Sequence, residues 1–397
     1  SSIFPSAKEI EAKVALPNCT ECVGCTTELQ PLKAVVAFGQ DFKVERGASP
    51  EWIFTTELPK DRGGGKGVLK VWCMPIDKVH GTFEWTCEKS DHAAKSNQFL
   101  VAQDKVVEEC GLMDVTIKVW VAPVNAVEPQ TGVHIWWDGL WMERAPGISL
   151  NQLSYITRKQ FVQDTIQTLM QKKLNQTRVV HAAMLDLLTS QCDRHGQNIF
   201  IDENGQLTLI DNLQAMQLGW QNCGADSVFL PGTQKNEIAR FGGSLVFKNA
   251  NAKMKRTVNP MVLLDYRCYV EGGRIGTNYP PDLKACLKKL SGMTPQGIMD
   301  EYGFPFVRNA EALHRRATDM LERGFEATLQ QGRPLNVPGK RYRWHEPCCK
   351  LEVGADGGSV QCAHAWDPKP DLPFGDPVTG REWRRTFPDP GSFEGGT

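Results

Sequence analysis

Apolar positions in the first part of the chain come in short runs. Trp52-Ile53-Phe54 opens a strand-rich stretch from Glu51 to about Val124, and the glycine cluster Gly63-Gly64-Gly65-Lys66-Gly67 leads directly into Val68-Leu69-Lys70-Val71-Trp72. Runs of this length bounded by turn residues predict strands. Between Ala93 and Cys110 the spacing changes: Phe99, Ala102, Val106 and Val107 share one side of a helix, and Gly111 stands in the stop position. Val115 to Val121 reads as a strand, and Val133 to Met142 as a hairpin turning at Asp138-Gly139.

Pro146-Gly147 marks a change of texture. Leu150 to about Gln191 predicts two helices, the second carrying Val180, Met184, Leu187 and Leu188 as one buried stripe. Asn198 to Asp202 and Gln206 to Asp211 then form a short hairpin around the two-residue turn Asn204-Gly205. Leu283, Cys286, Leu287 and Leu290 make a further helical stripe, and Leu313, Ala317, Met320, Leu321 and Leu329 another. The pattern predicts an α+β chain with an extension over residues 1–50, a strand-rich lobe over 51–145, a mainly helical lobe over 146–331 and a Pro/Gly-rich tail over 332–397. A cleft is expected between the lobes.

Charge narrows the function classes. Lys+Arg 45 against Asp+Glu 46 over 397 residues gives a net charge of −1, without the basic excess of a nucleic-acid binder. No stretch reaches the roughly 18 apolar residues of a membrane span. Ser1 to Lys13 lacks the charged start and apolar middle of a signal peptide, and a chain that opens without Met reads as processed or truncated. Thirteen cysteines, an odd number, leave at least one unpaired, intermolecular or bound to metal. Cys19, Cys22 and Cys25 can ligate zinc or form disulfides with Cys348, Cys349 or Cys362. Cys192 reads as a packed thiol. Two glycosylation triplets, Asn18-Cys19-Thr20 and Asn175-Gln176-Thr177, point weakly to an oxidising compartment.

Reactive residues are densest in Asp193-Arg194-His195-Gly196-Gln197-Asn198, followed after the hairpin by Asp211-Asn212. A hairpin that starts at Asn198 and ends at Asp211 brings the two side by side. Together they can supply oxygens to a hard cation, while Asp193 on the adjoining loop stays free as a base. Phosphoryl transfer from ATP uses that set: Mg2+ or Mn2+ on the phosphates and a carboxylate on the acceptor hydroxyl.

The string resembles the catalytic and metal-binding loops of the atypical kinases, which include the phosphoinositide 3/4-kinases, actin-fragmin kinase and the secretory-pathway Golgi kinases. Asp-Arg-His-x-x-Asn is closest to the phosphoinositide-kinase form, and Asp211-Asn212 to the Golgi kinases. The resemblance spans residues 50 to 330, is specific only over 181 to 212, and implies a two-lobed atypical protein-kinase-like fold. It implies Asp193 as the catalytic aspartate, His195 as the loop histidine, and Asn198 and Asp211 as metal ligands. Upstream it implies a glycine turn, with Gly64 and Gly65, leading to a phosphate-binding lysine, Lys70 with Lys66 in reserve. This is not a Walker A loop, because Gly67 follows Lys66 where Ser or Thr is needed. Trp141 to Gly147 resembles the hinge, where Met142 and Glu143 would meet adenine.

One position departs from the family. The first-lobe helix should carry a Glu that fixes the lysine, and here the nearest match is Gln98, with Glu84 and Glu88 as other candidates. The resemblance therefore implies an ATP-dependent phosphotransferase acting on a hydroxyl of a protein or glycan, or alternatively a pseudokinase serving as a nucleotide-binding or scaffold subunit beside a partner. It favours disulfides over zinc for the terminal cysteines, leaves the seven cysteines of the kinase-like region as buried thiols, and places the protein in the Golgi or outside the cell, with the cytoplasm as the alternative.

Overall fold

The computed structural model describes residues 33–34, 51–58, 65–72, 90–127, 134–151, 153, 168–216, 226–233, 235–236, 239, 259–331, 347–353 and 360–363. The chain divides into two compact units, residues 1–101 with 118–144, and residues 102–117 with 145–397. Helices and small antiparallel sheets make it an α+β protein.

The first unit holds one antiparallel sheet of five strands. They are β1 (Lys33–Ala34), β2 (Glu51–Glu57), β3 (Lys66–Trp72), β4 (Val119–Val127) and β5 (His134–Glu143), in the order β1-β2-β3-β5-β4. Where β2 meets β3, Gly65 takes a φ of 82° and its carbonyl accepts from Leu58 N at 2.8 Å. That is the left-handed conformation for which glycine is suited. The β3 strand is laddered on both sides, so Lys70 faces Ile53 of β2 and Leu140 of β5.

The expected hairpin at Asp138-Gly139 does not form. His134–Glu143 is one continuous strand, with Asp138 opposite Pro123 and Gly139 opposite Ala122. A turn there would give up pairing to β4 along nine residues and to β3 along four. Local turn preference cannot outweigh two ladders. The strand expected at Val115 begins instead at Val119, after a single 3-10 turn, Met113–Val115.

Helix α1 (Ser90–Glu109) crosses the division between the units. Phe99, Ala102, Val106 and Val107 are all buried, as their spacing requires. It ends at Gly111, with φ 68°, where Gly111 N donates to Glu108 O and Leu112 N to Val107 O, a Schellman closure.

The second unit contains a three-stranded sheet, β6 (Ile148–Ser149), β7 (Ile199–Ile201) and β8 (Leu207–Leu209), in that order. Among the described residues its helices are α2 (Gln176–Leu188), α3 (Pro281–Gly292), α4 (Pro295–Tyr302), α5 (Val307–Arg323) and α6 (Phe325–Gln331). Asn175 caps α2, its Oδ1 accepting from Arg178 N at 3.2 Å while its Nδ2 donates to Gln206 Oε1 at 2.9 Å. One glycosylation triplet is thus committed to a helix start. Beyond that cap α2 is buried continuously from Ala182 to Leu188, so it is enclosed on all sides and not along one stripe. The stripe from Leu313 to Leu329 belongs to two helices, parted at Gly324, whose φ is 86°. The β7–β8 hairpin has three loop residues and not two: Asp202 N donates to Gln206 O, and Gly205, with φ 80°, completes the turn.

Every described cysteine is in a disulfide. Cys110 pairs with Cys286, Cys268 with Cys349, and Cys348 with Cys362, the last two flanking the strands β9 (Leu351–Val353) and β10 (Val360–Cys362); Cys192 is also disulfide-bonded. Two expectations fall. Cys110, Cys192, Cys268 and Cys286 are disulfide-bonded and not the buried thiols expected of the kinase-like region, and the three tail cysteines are taken, so none can staple Cys19, Cys22 or Cys25, which lie outside the described residues. Disulfides of this number are characteristic of oxidising compartments. Among the described residues no helix is long and apolar enough to cross a membrane.

Candidate functional site

The second unit carries Asp193, His195, Asn198 and Asp211 on the stretch that follows α2. After the helix the chain turns sharply at Ser190, a non-glycine residue with φ 51°. That conformation is held from α5. The Arg316 guanidinium donates to Ser190 Oγ from Nε at 3.1 Å and from Nη2 at 3.0 Å, and Asn309 Nδ2 donates to Met216 O. Gln191, fully buried, then accepts the backbone N–H groups of Cys192 and Asp193 on its Oε1.

The Asp193 carboxylate lies between two basic groups. Its Oδ1 is 3.1 Å from Lys235 Nζ and its Oδ2 is 3.5 Å from His195 Nε2, with the side chain 32% exposed. His195 Nδ1 accepts from Gln197 N at 3.2 Å, so the ring proton resides on Nε2, directed at Asp193. Burial pushes the Asp193 carboxyl upward, but His195 and then Lys235 outweigh it and hold the group below the ordinary aspartate range.

Arg194 organises the rest. It is 1% exposed, and its Nε donates to both oxygens of Asp186 at 3.1 Å. Its Nη1 donates to Asn198 O at 3.2 Å and Ile210 O at 2.7 Å, and its Nη2 to Asn212 Oδ1. One guanidinium therefore fixes both ends of the β7–β8 hairpin, where Ile210 N also donates to Asn198 O at 3.0 Å. Asp186 sits in the middle of an apolar helix segment and accepts a further bond from Ser227 Oγ at 2.7 Å. Burial drives the Asp186 carboxyl upward, and Arg194 and Ser227 oppose it.

Asn198 is 7% exposed, and its Nδ2 donates to Asp193 O at 2.9 Å. That bond turns its Oδ1 away from Asp193 O, and among the described residues Oδ1 has no donor. Asp211 follows Ile210 directly and is exposed, with φ 56°, a left-handed conformation that aspartate tolerates better than most residues. The pair suits a magnesium or manganese ion that takes a few protein oxygens and completes its shell with phosphate and water. No group of three His, Cys, Asp or Glu side chains forms a richer metal site among the described residues.

The remaining candidates belong to the first unit. Lys70 is 9% exposed on the central strand β3. Lys66 opens β3 opposite Glu57, Gly65 is in the turn, and Gly64 lies outside the described residues. Met142, 7% exposed, and Glu143, exposed, end β5. Gln98 is on the exposed side of α1, whose buried polar residues, among the described side chains, are Ser96, Asn97 and Gln103. Glu84 and Glu88 lie outside the described residues.

Reading by motif missed Lys235, Asp186, Ser227 and Arg316, and gave Arg194 no role. Asp186 had a signal: a charge inside Met184-Leu185-Asp186-Leu187-Leu188 needs a buried partner. Compared with models of known protein families and with curated proteins, the chain matches none.

Proposed function

We propose that the protein is an ATP-dependent phosphotransferase of atypical-kinase type, acting on a hydroxyl of a protein or glycoprotein. The observation that carries this reading is one rigid hairpin, clamped by Arg194, that presents Asn198 and Asp211 beside an Asp193 kept ionised by basic neighbours. Asp193 would accept a hydrogen bond from the acceptor hydroxyl and take its proton as the oxygen–phosphorus bond forms. A carboxylate held below its ordinary range is a weak base, which suits a loose transition state where orientation matters more than proton removal. His195 and Lys235 fix the direction of that carboxylate. Asn198 and Asp211 would hold Mg2+ or Mn2+, which neutralises phosphate charge when bound. Lys70 is assigned to the phosphates, and Met142 and Glu143 to the adenine. The disulfides favour the secretory pathway as the place of action.

A second reading, a pseudokinase that binds nucleotide without transfer, is favoured by the polar residues of α1. Among the described side chains of that helix those buried are Ser96, Asn97 and Gln103, with no carboxylate among them. One experiment separates the readings. Full-length protein is incubated with labelled ATP, Mn2+ and a protein or glycopeptide acceptor, alongside Asp211→Ala. Transfer by the parent and none by Asp211→Ala, with equal melting temperatures, is the result expected. ATP-induced thermal stabilisation without transfer supports the pseudokinase, and absence of both ends the nucleotide reading.

A further inference from the structure

Lys235 is placed where a lysine is expensive to keep. Its side chain is 7% exposed, and removing an ammonium from water costs several kcal/mol unless charge and hydrogen bonds compensate. Among the described residues Nζ has one partner, Asp193 Oδ1 at 3.1 Å. An ammonium has three donors, so two remain for another acceptor.

The surroundings decide between a latch and a fixed component. Lys235 N donates to Asp226 Oδ1 at 2.9 Å, and Asn236 Nδ2 to Val228 O at 2.8 Å. Thr233 Oγ1 donates to Ser227 O at 2.6 Å and accepts from Asn236 N at 3.2 Å. The same segment is bonded to the catalytic loop, Arg194 N to Asp226 O and Val228 N to Arg194 O, and Ser227 reaches the Asp186 that anchors Arg194. A latch over Asp193 would have to break all of these bonds to open. Lys235 is instead a cation preset on the platform that sets the hairpin, and such preorganisation is what electrostatic stabilisation of a transition state requires.

We propose that Lys235 is a further catalytic residue, whose two uncommitted N–H groups donate to oxygens of the phosphoryl group in transfer while the third holds Asp193 toward the acceptor. The role rests on the phosphotransferase reading and deepens it. In the step, the acceptor O–H proton passes to Asp193 and the acceptor oxygen bonds to the γ-phosphorus. The bond from that phosphorus to the β–γ bridging oxygen breaks, its electron pair leaving with the nucleoside diphosphate. Lys235 stays protonated, and only its hydrogen bonds change.

The test uses the full chain with Lys235→Met, Lys235→Arg and Lys235→Ala, matched by circular dichroism. In Lys235→Met, kcat should fall about 10²- to 10³-fold, as on removing one preset donor, with a smaller change in KM for ATP. Lys235→Arg should recover part of the loss, and ethylammonium should partly restore Lys235→Ala where ethanol does not. Separately, the extra thermal stabilisation given by ATP over ADP in Mn2+ should shrink in Lys235→Met. A kcat within about threefold of the parent, or a loss that neither arginine nor ethylammonium relieves, overturns the proposal while leaving the phosphotransferase reading in place. If the parent binds ATP without transfer, an undiminished ATP-over-ADP increment in Lys235→Met overturns it. A parent that neither transfers nor binds ATP removes the phosphotransferase reading itself, and the role of Lys235 with it.

Discussion

Replacing Arg194 with methionine removes one guanidinium and leaves the Asp186 carboxyl, 0% exposed, with Ser227 Oγ as its remaining hydrogen-bond donor. Breaking a buried pair this way costs about 3–5 kcal/mol. An independent bound comes from protonation. A carboxyl that cannot stay charged must take up a proton on folding, and at pH 7 that costs about 4 kcal/mol, because each pH unit above an ordinary aspartate value near 3.9 is worth about 1.36 kcal/mol. The sign follows from linkage. Burial already holds the parent's Asp186 carboxyl above the ordinary aspartate range, and without Arg194 it rises further, so above about pH 4 the folded variant binds more protons than its unfolded state and than the folded parent. Its stability therefore falls as pH rises. The cost of Arg194→Met should be larger at pH 7 than at pH 5, by no more than about 2.7 kcal/mol, because the parent's own raised carboxyl already takes part of that dependence. Native-state hydrogen exchange of the β7 and β8 amides reads this locally and needs no two-state assumption for a chain of two units. Adding Asp186→Leu to Arg194→Met should recover stability but not the hairpin geometry, so any transfer activity stays lost. A cost below about 1 kcal/mol, or one independent of pH, would refute the reasoning.

Other outcomes can be checked on the same protein. Asp193→Asn should lower transfer about 10³-fold or more with no loss of secondary structure, measured as kcat at saturating ATP. Gly205→Ala should destabilise by about 1–3 kcal/mol, since φ is 80° and the added Cβ would meet the Lys173 carbonyl; a melting curve decides. Cys110→Ser with Cys286→Ser opens a closure spanning 176 residues and should cost about 2–5 kcal/mol in denaturant titration. Thiol labelling of the denatured, unreduced chain should leave all seven described cysteines unmodified.

What could be read in advance was local. The β7–β8 hairpin was legible because Asn204-Gly205 and its flanking apolar residues lie within a dozen positions, and α1 because its stripe and its stop at Gly111 are contiguous. Asp138-Gly139 carries an equally strong local signal, and it misled, because pairing to strands 15 and 70 residues upstream is absent from any short window. Gly324 was a readable break that the longer apolar stripe concealed. At the site, the residues with a motif were found, and those joined to them only in space were not. Lys235 lies 42 positions beyond the Asp193 it touches, and Arg316 further still from Ser190. Disulfide partners are likewise a matter of three-dimensional proximity, which spacing alone does not encode.

The two neighbouring cysteines of the tail have a consequence for how the protein acquires its structure. Cys349 reaches back to Cys268 while Cys348 closes on Cys362, across the pair β9 and β10. If the two sulfurs exchanged partners, nothing in the mass of the chain would change, and Cys348 and Cys349 are adjacent residues that both precede β9. Oxidation must therefore choose between isomers separated by a single peptide unit. Material made without a disulfide isomerase should be a mixture of the two, which a peptide map cut between Cys348 and Cys349 would separate.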